Sequence, residues 1–238
     1  MKLFYDFHIH TALSPCADND MTPNNVVNMS ILKGLDAIAI TDHNASGNCE
    51  VCMAIGKQNG IIVIPGMELQ TVEDVHVVAL FKTIEAVKVF QEEVDALKLP
   101  IPNRPDRFGN QFIMDEEDKV VGEEKIALIT GVNITIDKAF EIVDRLDGII
   151  FPAHIDRASN SIISNLGFMP ENLKVNLVEL SASYDENTKL PTVDFSKYKV
   201  LRNSDAHQLW KISEPVNALE VEEKTIEGIF DELKQKEK

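Results

Sequence analysis

Six histidines occur among 238 residues, and their settings are unlike those of scattered surface imidazoles. His8 and His10 stand two apart at the end of an apolar run, a spacing that turns both side chains to one side of a strand. His43 follows AIAITD, His154 follows GIIFPA, and His207 follows VLRNSDA, two residues after Asp205. Glu68 closes IIVIPGM and is a carboxylate beside apolar sequence. His76 differs: it opens the run VHVVALF, so strand-end position alone does not select it. Any one of these is ordinarily a surface or core residue. Imidazoles and carboxylates gathered at successive strand ends point instead to metal binding or catalysis. Neutral imidazoles and carboxylates suit zinc, manganese or iron, and no thiolate belongs to these motifs, so a cysteine-type structural zinc site is not indicated. Several such ions lower the pKa of a shared water from roughly 15.7 toward about 7 and supply hydroxide at neutral pH. An anion drawn to such ions would also need a cationic donor. Arg157, three residues after His154, is best placed and Arg202 is second, with a surface salt bridge as the ordinary alternative for each.

These residues need a scaffold that brings strand ends together. Apolar runs at 3–7, 36–40, 61–65, 75–81, 148–151, 175–180, 198–201 and 218–221 are the candidate strands. Helical signals lie between them. Thr22 before Pro23 reads as a cap with proline at the first helical position. Ser46 is a candidate cap for a helix reaching Gly60, and Ile226, Ile229, Phe230 and Leu233 make one buried helical face. Alternation of this kind predicts parallel strands with helical crossovers, closing into a barrel whose strand ends hold the site. Residues 1–238 are expected to form a single domain. The stretch from about 100 to 125 breaks the rhythm and reads as a loop and small hairpin inserted over the site.

Composition narrows the partners. Hydrophobic residues make up 44% and no apolar run approaches the roughly 20 residues of a membrane span. The first ten residues, MKLFYDFHIH, do not read as a secretory signal, so a cytoplasmic location is expected. Cys16, Cys49 and Cys52 are too few for a disulfide framework, and the C-x-x-C at 49–52 reads as ordinary helix. The formal charge of −16 and the lack of a basic groove, the longest cluster being KQKEK at the C-terminus, disfavour a nucleic-acid polymer as partner.

The motifs HIH at 8–10, TDHN at 41–44, PGMEL at 65–69, VHV at 75–77, PAHIDR at 152–157 and SDAH at 204–207 follow one another across most of the chain. H-x-H alone is a weak signal; six motifs in this order resemble the polymerase-and-histidinol-phosphatase (PHP) superfamily. That resemblance implies an α/β fold, a distorted (β/α)7 TIM-like barrel, with two or three zinc, manganese or iron ions and hydrolysis of phosphate esters. By position it implies one ion on His8, His10, Glu68 and Asp205. Glu68 would bridge to a second ion on His76 and His154, and a third would sit on His43, His207 and a carboxylate of the first loop. Glu68, Asp205 and Arg157 carry the chemistry on this reading. Where many relatives have a short S-D-G turn, this chain has TALSPCADNDMTP, which puts the loop acid at Asp18 with Asp20 as the alternative. Asp42 is expected to orient an imidazole, and Cys16 is given no role. The expected substrate is a small phosphate monoester or nucleotide. A nuclease, a hydrolase of a C–N or C–O bond, and a non-catalytic metal-binding protein are the alternatives.

Overall fold

The computed structural model describes residues 1–171, 173–185, 187 and 190–235; the last three residues of the C-terminal KQKEK lie outside that set. Its first half runs β1 (Lys2–Ile9), α1 (Pro23–Leu32), β2 (Ala37–Ile40), α2 (Cys49–Asn59), β3 (Ile62–Gln70), β4 (His76–Leu80) and α3 (Ile84–Asp95). The interrupting stretch holds α4 (Pro105–Phe108), β5 (Phe112–Met114) and β6 (Val120–Glu123). Then follow α5 (Ile136–Arg145), β7 (Ile149–Pro152), α6 (Ile162–Leu166), β8 (Leu177–Ser181), β9 (Lys199–Asn203), β10 (Ala218–Glu220) and α7 (Ile226–Lys234). Each of the eight apolar runs has its strand.

Local chemistry sets the boundaries. Thr22 caps α1 by accepting from the Asn25 N–H, with proline at the helix start. α2 begins later than the serine suggests: Asn48 is its cap residue, and Ser46 bonds Gln91 instead. Gly60 closes α2 at φ 77°, a left-handed turn that costs glycine nothing.

Six strands form a mixed sheet in the order β10-β1-β2-β3-β4-β7, curled into a half-barrel. β1, β2 and β3 pair in parallel, as the alternation predicts. The expectation of an all-parallel ring is corrected beyond that point. β4 runs antiparallel to β3 and to β7, and β10 runs antiparallel to β1. The reason is local: only residues 71–75 separate β3 from β4, too few for a helical crossover. Gly66 sits where those two strands press together, and a Cβ there would lie 2.7 Å from the Ala79 carbonyl oxygen. β8 and β9 form their own parallel pair, packed against β7 on one side and β1 on the other.

Helices cover the outer face. Val26 and Val27 of α1 and Cys49, Cys52 and Ile55 of α2 pack on Ile38, Ile40 and Val63. Val87, Phe90 and Val94 of α3 and Ala139, Ile142 and Val143 of α5 pack on Val77 and Ala79. Ile229, Phe230 and Leu233 of α7 pack with Leu3, Leu80 and Phe151. Each such buried side chain contributes about 1.5–3 kcal/mol. That rigidity is what allows several strand ends to hold one site.

Candidate metal centre

One reversal of strand direction explains the misfit histidine. Because β4 is antiparallel to β3, with His76 opposite Gln70, its first residue lies at the edge where β1, β2 and β3 end. β7 turns back to that same edge, where Pro152 opposite Val77 leads into His154. A bridge from Ile9 to Ala206 brings Asp205 and His207 alongside the end of β1.

The consequence is a cage. His8, His10, His43, His76 and His154 form a closed ring of imidazole contacts, with His207 stacked on His10, at centroid separations from 4.1 to 5.9 Å. All the histidines of the chain are in it. Glu68 stands at its centre: Oε1 is 3.3 Å from His8 Nε2, 2.9 Å from His76 Nδ1 and 3.1 Å from His154 Nε2. Its Oε2 is 3.3 Å from His10 Nε2 and 2.9 Å from His43 Nδ1. Asp205 Oδ1 adds a second carboxylate, 3.0 Å from His10 Nε2 and 3.4 Å from His8 Nε2.

Hydrogen-bond partners fix which nitrogens are free to ligate. Glu179 accepts from Nδ1 of His8. Ser14 donates its hydroxyl proton to Asp42, so it accepts from Nδ1 of His10. The Asp205 carbonyl accepts from Nδ1 of His207. Each ring therefore carries its proton on the outer nitrogen. In the neutral rings the Nε2 lone pairs of His8 and His10 then face each other at 3.2 Å, a contact that a shared proton or a metal ion relieves. Glu68 Oε2, Asp205 Oδ1 and His154 Nδ1 are also buried without a hydrogen-bond partner. Facing lone pairs and orphaned carboxylate oxygens repel unless a cation sits among them, and burying such charge uncompensated costs several kcal/mol. The donor set thus fits metal ions.

The same charges show in the titration of the cage. Burial pushes Glu68 up, but His76, His8 and His43 outweigh it and hold the carboxyl well below its usual range. Asp205 is held well below in the same way, burial being outweighed by His8 and His10. Burial lowers His8, yet Glu179, Glu68 and Asp205 raise it well above the ordinary imidazole value. His76 is the exception: burial prevails and lowers it.

Three sets bring one ligand atom each within 4.8 Å of one another: His8, His10, Glu68 and Asp205; His43, Glu68 and His76; and His10, His43 and His207. His154 reaches the cage through Glu68. Asp18 is not drawn in. It is exposed, belongs to none of these sets, and approaches through its backbone N–H, which donates to the His207 carbonyl at 2.9 Å. Asp20 is exposed as well. Cys16 is exposed too and belongs to none of these sets. Partial desolvation acts upward on its thiol, but the neighbouring His207 and His43 imidazoles bring it down to about 5. Arg157 lies at the rim, its Nη1 2.5 Å from Asp205 Oδ2. Arg202 is elsewhere, over the Tyr184 ring.

Asp42 braces the loop and not the adjacent imidazole. It accepts from the Thr11 N–H and from the hydroxyls of Thr11 and Ser14. Two buried acids escaped the sequence reading. Besides His8, Glu179 takes the His154 N–H and the Asn203 side-chain amide. Asp6 takes the N–H groups of Ser204 and Ser213 and so fixes the turn carrying Asp205. His154 and Asp205 adopt left-handed backbone, φ 27° and 50°, a strain that these anchors sustain. The available signal was an acid amid apolar residues, in VNLVEL and FYDF.

The PHP domain family model matches residues 6–235. The chain belongs to the PHP domain family. PHP domains bind several metal ions, and the histidine–carboxylate cage fits that load. The uncharacterized protein MJ1587 of Methanocaldococcus jannaschii is 31% identical over 84 residues, 32% of this chain and 48% of its own. The fold is that of the lesion-specific endonuclease PfuEndoQ from Pyrococcus furiosus: TM-score 0.67, 21% identity, 98% of this chain and 56% of that one. It is also that of Endonuclease Q in complex with a 27-mer duplex substrate with an abasic lesion at the active site (TM-score 0.67, 20% identity, 98% and 57% coverage). A putative metal-dependent phosphoesterase from Bifidobacterium adolescentis shares it too, with TM-score 0.59, 16% identity and coverage of 85% and 87%. The chain thus spans about half the length of the curated relative and of the endonuclease.

These neighbours overturn one expectation. A formal charge of −16 does not set nucleic-acid polymers aside, because this fold serves an endonuclease bound to a 27-mer duplex. Net charge sums the whole chain, including the acids that face cations; a polymer meets the local field at the site. Among the described residues no helix is long and apolar enough to cross a membrane.

Proposed function

We propose that this PHP chain is a phosphoesterase working with two or three divalent ions, zinc, manganese or iron. The placing of five imidazoles within 3.3 Å of the Glu68 carboxylate carries the reading. His8, His10, Glu68 and Asp205 would hold one ion, Glu68, His76 and His154 a second, and His43 and His207 a third. Bound there, the ions would activate water and offset the charge on the phosphoryl oxygens. Glu179, Ser14 and the Asp205 carbonyl keep His8, His10 and His207 in the ligating tautomer. Arg157, 42% exposed along its side chain, is placed to exchange Asp205 for a phosphoryl oxygen. On this reading β8 and β9 complete a distorted seven-stranded barrel between β7 and β1. Residues 1–238 then form a single domain with its insertion at about 100–125.

The first substrate reading is a small phosphate monoester or nucleotide, supported by the phosphoesterase neighbour, which matches this chain over most of both lengths. The second is a phosphodiester of a nucleic acid, supported by the endonuclease neighbours. One comparison separates them: kcat/KM of ion-loaded protein on a panel of monoesters and on duplexes with and without an abasic lesion. Phosphate release from monoesters supports the first, strand cleavage the second. No hydrolysis of any phosphate ester contradicts both.

A further inference from the structure

Asn48 stands at the start of α2, where an asparagine ordinarily caps the helix, yet its side chain makes no capping bond. It is fully buried and committed elsewhere. Its Nδ2 donates to the Phe112 carbonyl at 3.0 Å and its Oδ1 accepts the Met114 N–H at 3.0 Å, which ties the side chain to strand β5 of the insertion. Those two backbone groups fix which end of the amide is nitrogen, and Nδ2 donates its other hydrogen to Thr11 Oγ1 at 2.8 Å. Thr11 Oγ1 accepts from Asn48 and from the Leu13 N–H, so its own proton goes to Asp42 Oδ2 at 2.7 Å. Asp42 Oδ1 takes the Ser14 hydroxyl at 2.6 Å. Ser14, its proton given away, accepts from His10 Nδ1 at 2.9 Å and from the His43 N–H at 3.1 Å. His10, Thr11, Ser14, Asp42 and Asn48 are all fully buried. The bonds therefore form one chain with a fixed polarity. It begins on the backbone of β5 and ends by holding the His10 proton on Nδ1, away from Glu68 and Asp205.

We infer that Asn48 is a positioning residue of the metal centre, fastening β5 of the insertion to the hydrogen-bond chain that presents His10 Nε2 to the ions. This inference rests on the metal-centre reading above. Without the Asn48 amide, Thr11 Oγ1 loses a fixed donor and β5 loses its tie to the first loop. The looseness then passes through Asp42 and Ser14 to the His10 ring, because each group in a buried chain orients the next. The insertion is thereby part of the framework of the metal site.

The test measures zinc affinity by chelator competition, with ions per chain counted on the same samples, in Asn48→Ala, Ser14→Ala and the pair. Each single change should weaken zinc at least about tenfold, the lower bound for losing an outer partner of a metal. Because both act through one chain, the pair should lose much less than the product of the two effects. In proton–nitrogen spectra of the zinc-loaded protein, the His10 Nδ1 proton should exchange at least about tenfold faster in Asn48→Ala. Phe90→Leu, a change in the core under α3, calibrates general loosening and should leave both readouts unchanged. If Asn48→Ala does not fold, Thr11→Val keeps the shape, cuts the same chain at the next residue and should reproduce its effects. Unchanged zinc affinity with an unchanged His10 proton, or losses that simply multiply in the pair, would overturn the inference and leave the metal centre standing. Equal zinc loss in Phe90→Leu would overturn it as well. Protein that binds no ion would end both readings.

Discussion

Both carboxylate oxygens of Glu179 face Nδ1 of His8, at 3.0 and 3.1 Å, with both residues fully buried. The same Oε1 accepts the His154 N–H at 3.0 Å. One acid thus sets the tautomer of a histidine on β1 and the position of another beyond β7. Glu179→Gln should leave the fold in place and weaken metal binding about 10- to 100-fold, because the NH2 that replaces one oxygen cannot accept from the Asn203 amide or from His8. Competitive chelator titration measures it. Unchanged affinity would reduce Glu179 to a packing residue.

Glu68 is the acid that the cage surrounds. Glu68→Gln should therefore cost more than the roughly 100-fold that an outer partner is worth. It should release ions, and circular dichroism should show the fold retained. Near-normal turnover at saturating metal would contradict its bridging place.

Arg157→Ala should raise KM for phosphate esters, or lower kcat, without lowering metal content. A charge-assisted bond to a phosphoryl oxygen is worth roughly 1.5–3 kcal/mol, about 10- to 150-fold in kcat/KM. Steady-state kinetics with parallel elemental analysis separates the two effects. A loss of ions would show that its contact with Asp205 is its main role.

Gly109→Ala tests whether the insertion braces the first loop. The new Cβ meets the Pro15 backbone, which has no flexible end to move aside, and Gly109 has φ 101°. Stability should fall by about 1–3 kcal/mol, and the loop beside His207 should shift. Urea unfolding reads the first and the ion count the second. A variant as stable as the parent, with a full load of ions, would contradict the bracing.

Metal-free and metal-loaded protein should respond to pH with opposite signs. In the metal-free cage His8 and His43 have raised pKa values, His8 through Glu179, Glu68 and Asp205 against burial, His43 through Glu68 and Cys16 against burial. Their stabilisation is complete below the ordinary imidazole value of 6.5 and is lost as pH rises through the raised values. Glu68 and Asp205 are depressed, so theirs is complete above the ordinary 4.5 and 3.8 and lost as pH falls through the lowered values. Metal-free protein should be most stable between those limits and weaken toward alkaline pH. His76, lowered by burial, opposes this without reversing it. Bound ions need deprotonated ligands, so loaded protein should gain stability over the same rise. Melting curves from pH 5 to 9, with and without chelator, decide it; parallel curves would contradict the account.

How much of this could be read from sequence depends on the interaction concerned. His8, His10, Glu68 and Asp205 were legible because two-residue spacing and strand ends are local properties. His76 was legible only through motif resemblance, since its place follows from β4 running backward, which a short 71–75 connection implies but apolar runs do not. Glu179 was invisible because its function is a contact with His8, 171 residues away. The loop acid rests on residue type and motif position alone: Asp18 is exposed and meets His207 through its backbone N–H, a contact that residue type does not foretell.

The central claim is that this cage is built for several cations. The direct measurement is elemental analysis of the purified protein together with anomalous diffraction at the zinc, iron and manganese edges. The account predicts two or three ions per chain, with at least two sharing Glu68. A single ion bound away from His8 and His10, or protein without ions after growth with all three metals, would contradict it.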